Sequence, residues 1–145
     1  MNKFGFTLIE LLASITILGL IMLVVMPSIT ALRDQNKEQT LTVYGDSLIE
    51  ASKLFITREK EDITSTYNND NYCLDISYQT LYNSNLIKPF QDQTFTCNSN
   101  NIKVRYTHTP KKDTYQYIMI CTDQKNKEFK SSHYDDLIKT QCDAA

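Results

Sequence analysis

The chain has little with which to hold a metal or to catalyse a reaction. It has two histidines, His108 and His133, and none of its four cysteines forms a CxxC pair, so a zinc site is poorly supported. Asp135 and Asp136 beside His133 read better as favourable acids in the first turn of a short helix than as acid–base or metal chemistry. Neither histidine stands in a known catalytic order with Ser, Cys or an acid, and no set of roles can be assigned. The sequence therefore reads as a non-enzyme, with no metal and no cofactor. Nor does one sign of charge dominate. Fifteen Lys and Arg against seventeen Asp and Glu give a net charge of −2, which argues against a dedicated nucleic-acid coat. Charge of either sign is missing altogether from Leu11 to Met26.

What is present is an uneven distribution of apolar residues. They crowd residues 4–32, while the remainder is rich in Asn, Asp, Lys, Thr and Tyr. A bilayer core takes about 20 mainly apolar helical residues. Residues 6–32 exceed that, broken only by Glu10, a few hydroxyls and Gly19. Lys3 precedes the run and Arg33, Asp34, Lys37 and Glu38 follow it, which weakly favours an inside N-terminus and an outside remainder. A secretory signal cut after Ala31 fits poorly: Ile29 is not small at the −3 position, and the apolar region is too long. A plain signal anchor accounts for the hydropathy but leaves Glu10 without a purpose, and a charge inside a span is by default functional.

The stretch Gly5-Phe6-Thr7-Leu8-Ile9-Glu10-Leu11-Leu12, behind the short leader Met1-Asn2-Lys3-Phe4, resembles the processing and methylation site of type IV pilins and pseudopilins. The resemblance is close over the N-terminal segment and extends to the rest only in layout. It implies that a prepilin peptidase/methylase cuts between Gly5 and Phe6 and methylates the Phe6 amine. It also implies that Glu10 meets the N-terminal amine of a neighbouring subunit, rewarding one axial register. Gly19 and Pro27 fall where such proteins often carry helix-weakening residues. Pro27 has no N–H to give to the Leu23 carbonyl, and Gly19 costs about 1 kcal/mol of helix propensity against alanine. The expectation is a tolerated kink in the isolated subunit and local unwinding in a fibre.

Beyond Pro27 the pattern becomes one-sided. Leu41, Tyr44, Leu48, Ala51 and Phe55 share one helical face. A helix from Phe6 to Arg58 would be about 80 Å long, ended by a polar loop from Thr64 to Asn71. Ser77 offers an N-cap for a helix from Tyr78 to Ile87, closed by Pro89. Strand-like runs follow at Thr94–Cys97, Ile102–Thr107 and Tyr115–Cys121, the last reading as a central strand. A hairpin loop at Thr109–Asp113 joins the second to the third. A turn into Lys127–Lys130 and a short helix from Tyr134 to Thr140 complete the chain. The expected fold is α+β and pilin-like, a long N-terminal helix with a small antiparallel sheet domain laid across its C-terminal half. The expected divisions are a cleaved leader (1–5), a transmembrane or fibre-core half-helix (6–32), an amphipathic half (33–60) and a globular head (61–145).

Cys73, Cys97, Cys121 and Cys142 all lie in the head, which suits two disulfides in an oxidising compartment. Three connectivities are open. The resemblance favours Cys121 with Cys142, enclosing a C-terminal loop, which leaves Cys73 with Cys97. Lys103, Arg105, Lys111 and Lys112, near Tyr106, Tyr115 and Tyr117, would form a basic–aromatic surface for DNA, although alternating cations are more often the wet face of a strand. By resemblance the function is that of a pilin, stored in the cell membrane as a single-pass protein with a cytoplasmic N-terminus and polymerised into an extracellular filament. The alternative is a minor pilin or a competence or secretion pseudopilin whose head binds DNA or another surface ligand. The implied partners are other copies or other pilins, the peptidase, an assembly platform with its ATPase, and membrane lipid before assembly.

Overall fold

The computed structural model describes residues 6–67, 70–90 and 93–145, and it divides the chain into two compact units, residues 1–38 and 39–145. One helix, α1 (Leu8–Arg58), passes unbroken through both, Gly19 and Pro27 included. In the first unit its described apolar side chains are exposed. Exposure runs from 43% at Val25 and Ile29 to 77% at Leu8, on every side of the helix. Ser14 and Thr16 donate their hydroxyl protons to the Leu11 and Ala13 carbonyls at 2.8 Å, so these two polar groups need no water.

The second unit has its own core. Leu41, Leu48, Ala51 and Ile56 of α1 are buried with Leu74, Ile76, Leu81, Val104, Met119 and Phe129 in one cluster. The buried stripe is shifted slightly from the expected one: Tyr44 and Phe55 lie at its edge, while Ser52 is fully buried and donates to the Leu48 carbonyl. The first break in the helix comes at Glu59, ahead of the expected loop. A second helix, α2 (Lys60–Thr66), follows it. Thr64, Ser65 and Thr66 signalled a loop, but their hydroxyls bond back to the Lys60 and Asp62 carbonyls and the helix keeps them.

Strand β1 (Tyr72–Ser77) leads into α3 (Tyr78–Asn83), where Ser77 Oγ accepts the Thr80 amide at 3.1 Å as an N-cap. Helix α3 ends earlier than Pro89 would end it. Asn85 takes φ 55, its amide bonds the Tyr82 carbonyl, and the Leu86 amide bonds the Leu81 carbonyl. That is a Schellman termination, with asparagine in the left-handed position that glycine usually fills.

The remaining strands are β2 (Phe95–Cys97), β3 (Lys103–His108), β4 (Thr114–Ile118), β5 (Ile120–Asp123), β6 (Glu128–Lys130) and β7 (Asp143–Ala144), with the short helix α4 (Tyr134–Leu137) before the last. They form two sheets, ordered β4-β3-β1-β7 and β2-β5-β6, where a single antiparallel meander was expected. The pairing is antiparallel except for β7, which runs parallel to β1. The run Tyr115–Cys121 is split between the sheets, because β3 begins at Lys103, opposite Ile118. Before Lys103 the chain curls into a 3-10 turn (Ser99–Asn101) and leaves Met119 without a ladder partner. Met119 bonds Ser131 instead, and the chain continues as the middle strand of the second sheet. So of the two halves of this run, β4 is an edge strand and β5 is central.

Sheet membership also decides the disulfides. Cys97 and Cys121 face each other across β2 and β5, and Cys73 on β1 is bonded to Cys142, just before the neighbouring β7. The expected pairs, Cys121 with Cys142 and Cys73 with Cys97, would each have joined different sheets.

At Gly45 the helix packs against Tyr117 of β4. A Cβ there would lie 2.3 Å from Tyr117 Cζ, so the tyrosine ring rests on the bare helix backbone. Gly45→Ala gains about 1 kcal/mol of helix propensity against about 1–3 kcal/mol of overpacking. Thermal denaturation of the full chain is expected to show a net loss of stability. It should also show a Gly45→Ala/Tyr117→Ala double variant losing less than the sum of the singles. A higher melting temperature for Gly45→Ala would contradict this packing.

Candidate functional site

The start of α1 is built by Thr7, a residue outside the expected site set. Thr7 is the N-cap: its amide and its hydroxyl both donate to Glu10 Oε2, at 3.0 and 2.8 Å, and the Glu10 amide donates back to Thr7 Oγ1 at 3.4 Å. The first helical bond runs from the Leu11 amide to the Thr7 carbonyl at 3.2 Å. Thr7-x-x-Glu10 is a capping box, and the Thr…Glu spacing ahead of an apolar run was its signal. Glu10 therefore has an intramolecular task, holding the Thr7 amide and hydroxyl. Phe6, directly ahead of the cap, is exposed. Gly5 lies outside the described residues. A Cβ at Gly19 would meet nothing within 4 Å, consistent with a surface uncovered by the chain itself.

Of the four cations proposed for DNA, Lys103 and Arg105 are drawn together on Asp75. Arg105 is 4% exposed, although its alternation with Lys103 had placed it on the wet face of β3. The C-terminal segment covers it, and all five of its N–H donors are used. Nε and Nη2 hold the two Asp75 carboxylate oxygens at 2.8 and 2.9 Å, directly across the β1–β3 ladder. Nη1 and Nη2 also reach the Leu137 and Thr140 carbonyls at 2.9 and 2.8 Å, and Nη1 the Thr140 hydroxyl. Lys103 Nζ adds a contact to Asp75 at 2.5 Å. Burial alone would raise the Asp75 pKa, but hydrogen bonds from Arg105 and Lys103 and their charges outweigh it and hold the carboxyl below its usual range. Lys111 and Lys112 are exposed on the β3–β4 loop.

His108, which had no acidic partner in the sequence pattern, has one in the fold. Its Nδ1 lies 2.6 Å from Asp113 Oδ1 across the β3–β4 hairpin, and its ring lies 4.9 Å from that of Tyr72. Tyr67 stacks on Tyr72 at 5.1 Å, and Tyr106 lies 5.0 Å from Tyr115. These side chains border a cleft of about 360 Å³ between the end of α1, α2 and the four-stranded sheet. His133 holds φ 63 ahead of α4, at a solvated helix start. Among the described residues no three His, Cys, Asp or Glu side chains gather as a metal ligand set.

The family model of the prokaryotic N-terminal methylation motif matches residues 1–26. No curated protein and no solved structure matches the chain.

The Asp75–Arg105 pair yields a test of what holds the head's C-terminal segment. Arg105→Met leaves a buried carboxylate with a single lysine and is expected to cost about 3–5 kcal/mol, seen as a lowered melting temperature at neutral pH. Because the folded-state pKa of Asp75 is depressed, its contribution is complete above the unfolded pKa of about 3.9. It is lost as pH falls through the lower folded value. Asp75→Asn should therefore be less stable than the parent at pH 7 and lose less on acidification below about pH 4. Parallel acid profiles for the two proteins would contradict the assignment.

Proposed function

Residues 1–26 carry the signal motif of type IV pilins and pseudopilins, and from that premise we propose that the chain is a structural filament subunit. It is stored in the membrane and polymerises through its N-terminal helix into a type IV pilus or a related surface filament. The observation that carries this reading is the first half of α1, apolar on every side and uncovered by the chain, with one carboxylate at its start. Among the described residues, α1 is the one helix long and apolar enough to cross a membrane. Such a surface needs lipid or other helices around it. Both are available to a subunit that waits in a bilayer and then enters a fibre core.

In this reading the peptidase removes residues 1–5 by cutting after Gly5 and methylates the Phe6 amine. Residues 6–32 serve as the span and then the fibre core, residues 33–60 carry the amphipathic half of the helix, and residues 61–145 form the extracellular head. Glu10, capped by Thr7 at the helix start, meets the amine of the neighbouring subunit. Gly19 and Pro27 are the points of weakness at which the helix yields when packed. The partners are further copies or other pilins, together with the assembly platform and its ATPase. The reading as a minor pilin or pseudopilin keeps support from the aromatic cleft in the head, which suits a subunit that captures something. Its DNA version has less support, because Arg105 and Lys103 are engaged with Asp75.

Two measurements test the proposal. Mass spectrometry of the membrane-extracted protein is expected to find an N-terminus at methylated Phe6, and retention of Met1–Gly5 would overturn it. Glu10→Val is expected to be processed like the parent yet to lose most filament incorporation, scored by quantitative proteomics on sheared filaments. Normal incorporation would remove Glu10 from the assembly role.

A further inference from the structure

We propose that the cleft beside His108 and Asp113 is a binding site for a neutral saccharide unit. It lies wholly within the second unit, and its existence does not depend on the filament reading. At about 360 Å³ it falls at the lower end of the range of about 300–1,000 Å³ typical of small-molecule sites. Its floor is Tyr106, 3% exposed, and Tyr67, Tyr72 and Tyr115 are partly exposed around it. Asp70, Asp113 and Lys60 are exposed at the rim.

Two features of the lining select the ligand class. The first is aromatic surface, which takes the C–H face of a pyranose by dispersion without requiring charge. The second is a mixture of donors and acceptors. Tyrosine hydroxyls do both, the Asp70 and Asp113 carboxylates only accept, and the Lys60 ammonium only donates. Burial raises the pKa of Tyr106 and of Tyr115, with hydrogen bonding to Tyr72 adding to the first and the Asp113 charge to the second. Both phenols therefore remain hydroxyls at neutral pH. His108 is fixed by its bond to Asp113, with Nδ1–H donating to Oδ1 at 2.6 Å.

A sugar hydroxyl donates and accepts at once and matches such a lining. An anion would face Asp70 and Asp113. A quaternary ammonium would gain from the four tyrosines and from the two carboxylates but would be opposed by Lys60 and could not use its donor. A neutral polyol can use the donor and both acceptors at once.

The test uses the full chain in phosphatidylglycerol nanodiscs with ligand-observed saturation-transfer NMR. The probes are glucose, galactose, N-acetylglucosamine and rhamnose, with choline chloride and inorganic phosphate as charged competitors. At least one sugar is expected to show transfer. Asp113→Asn, which removes the rim charge at an exposed position, is expected to weaken that sugar's apparent affinity at least fivefold. Tyr115→Leu, which keeps apolar bulk but removes the ring face and the hydroxyl, should do the same. Each variant's melting temperature, measured alongside, should stay near that of the parent. If Tyr115→Leu melts much lower, Asp113→Asn alone decides. Transfer to none of the four sugars overturns the proposal. Sugar binding unchanged in Asp113→Asn overturns it as well, as does binding of choline or phosphate in place of sugar.

Discussion

A helix whose side chains are apolar on every side cannot be left in water, and the described apolar side chains from Leu8 to Leu32 are exposed. Leu8 through Leu32 present a surface that an ordinary soluble protein would bury. The polar side chains of residues 7–26 are compatible with an apolar medium. The two hydroxyls in the middle of the span turn onto their own helix, and Glu10 at its start is held by Thr7. A polar group in hydrocarbon is expensive unless it is hydrogen-bonded, and these three groups are bonded locally. The segment can therefore exchange one apolar surrounding for another without rearranging its polar groups. That property is what a subunit moving from bilayer to fibre requires.

The second unit solves a different problem. It is small, its strands are short, and its second sheet has only three strands, so apolar burial alone leaves it marginal. Two disulfides supplement the core, each adding about 2–4 kcal/mol by restricting the unfolded chain. They are arranged with purpose: Cys97–Cys121 ties the second sheet across itself, and Cys73–Cys142 returns the end of the chain to β1. Arg105 secures the same end noncovalently, by binding Asp75 on β1 and the Leu137 and Thr140 carbonyls together. An isolated buried arginine would be a liability, but one with all five donors placed is a clamp.

The parts of this architecture that were legible in the sequence were those written in local periodicity. The long apolar helix, the one-sided stripe around Leu41, Leu48 and Ala51, the Ser77 cap and the β3 strand each depend on residues a few positions apart. The misread parts depend on which strand lies beside which. The cysteine partners followed sheet membership, and the break at Met119 followed from where β3 begins, a remote fact for residues 115–121. Arg105 looked like a solvated strand residue because alternation says which face it is on and not what later covers that face. Thr7 is a different case. The capping-box spacing is fully present in the sequence, and Glu10 bonds the residue three positions earlier. His108 and Asp113 likewise meet only because a hairpin folds.

The capping box also bears on how a neighbouring subunit would be received in the proposed filament. Both Thr7 donors go to one oxygen of Glu10, Oε2. A carboxylate has two oxygens and room for several donors, so an incoming amine can approach Oε1 without dissolving the cap. A carboxylate that is already oriented loses less rotamer entropy when it forms the second contact than a free side chain would. The cap thus does for the proposed contact what pre-organisation does in any binding site. It fixes the charge at a defined height on the helix, so that axial register is read against a stationary group. Removal of the leader after Gly5 would place the new amine on Phe6, one residue ahead of Thr7. In that arrangement donor and acceptor occupy the same turn of identical helices, and the offset between subunits is set by the geometry of that single turn.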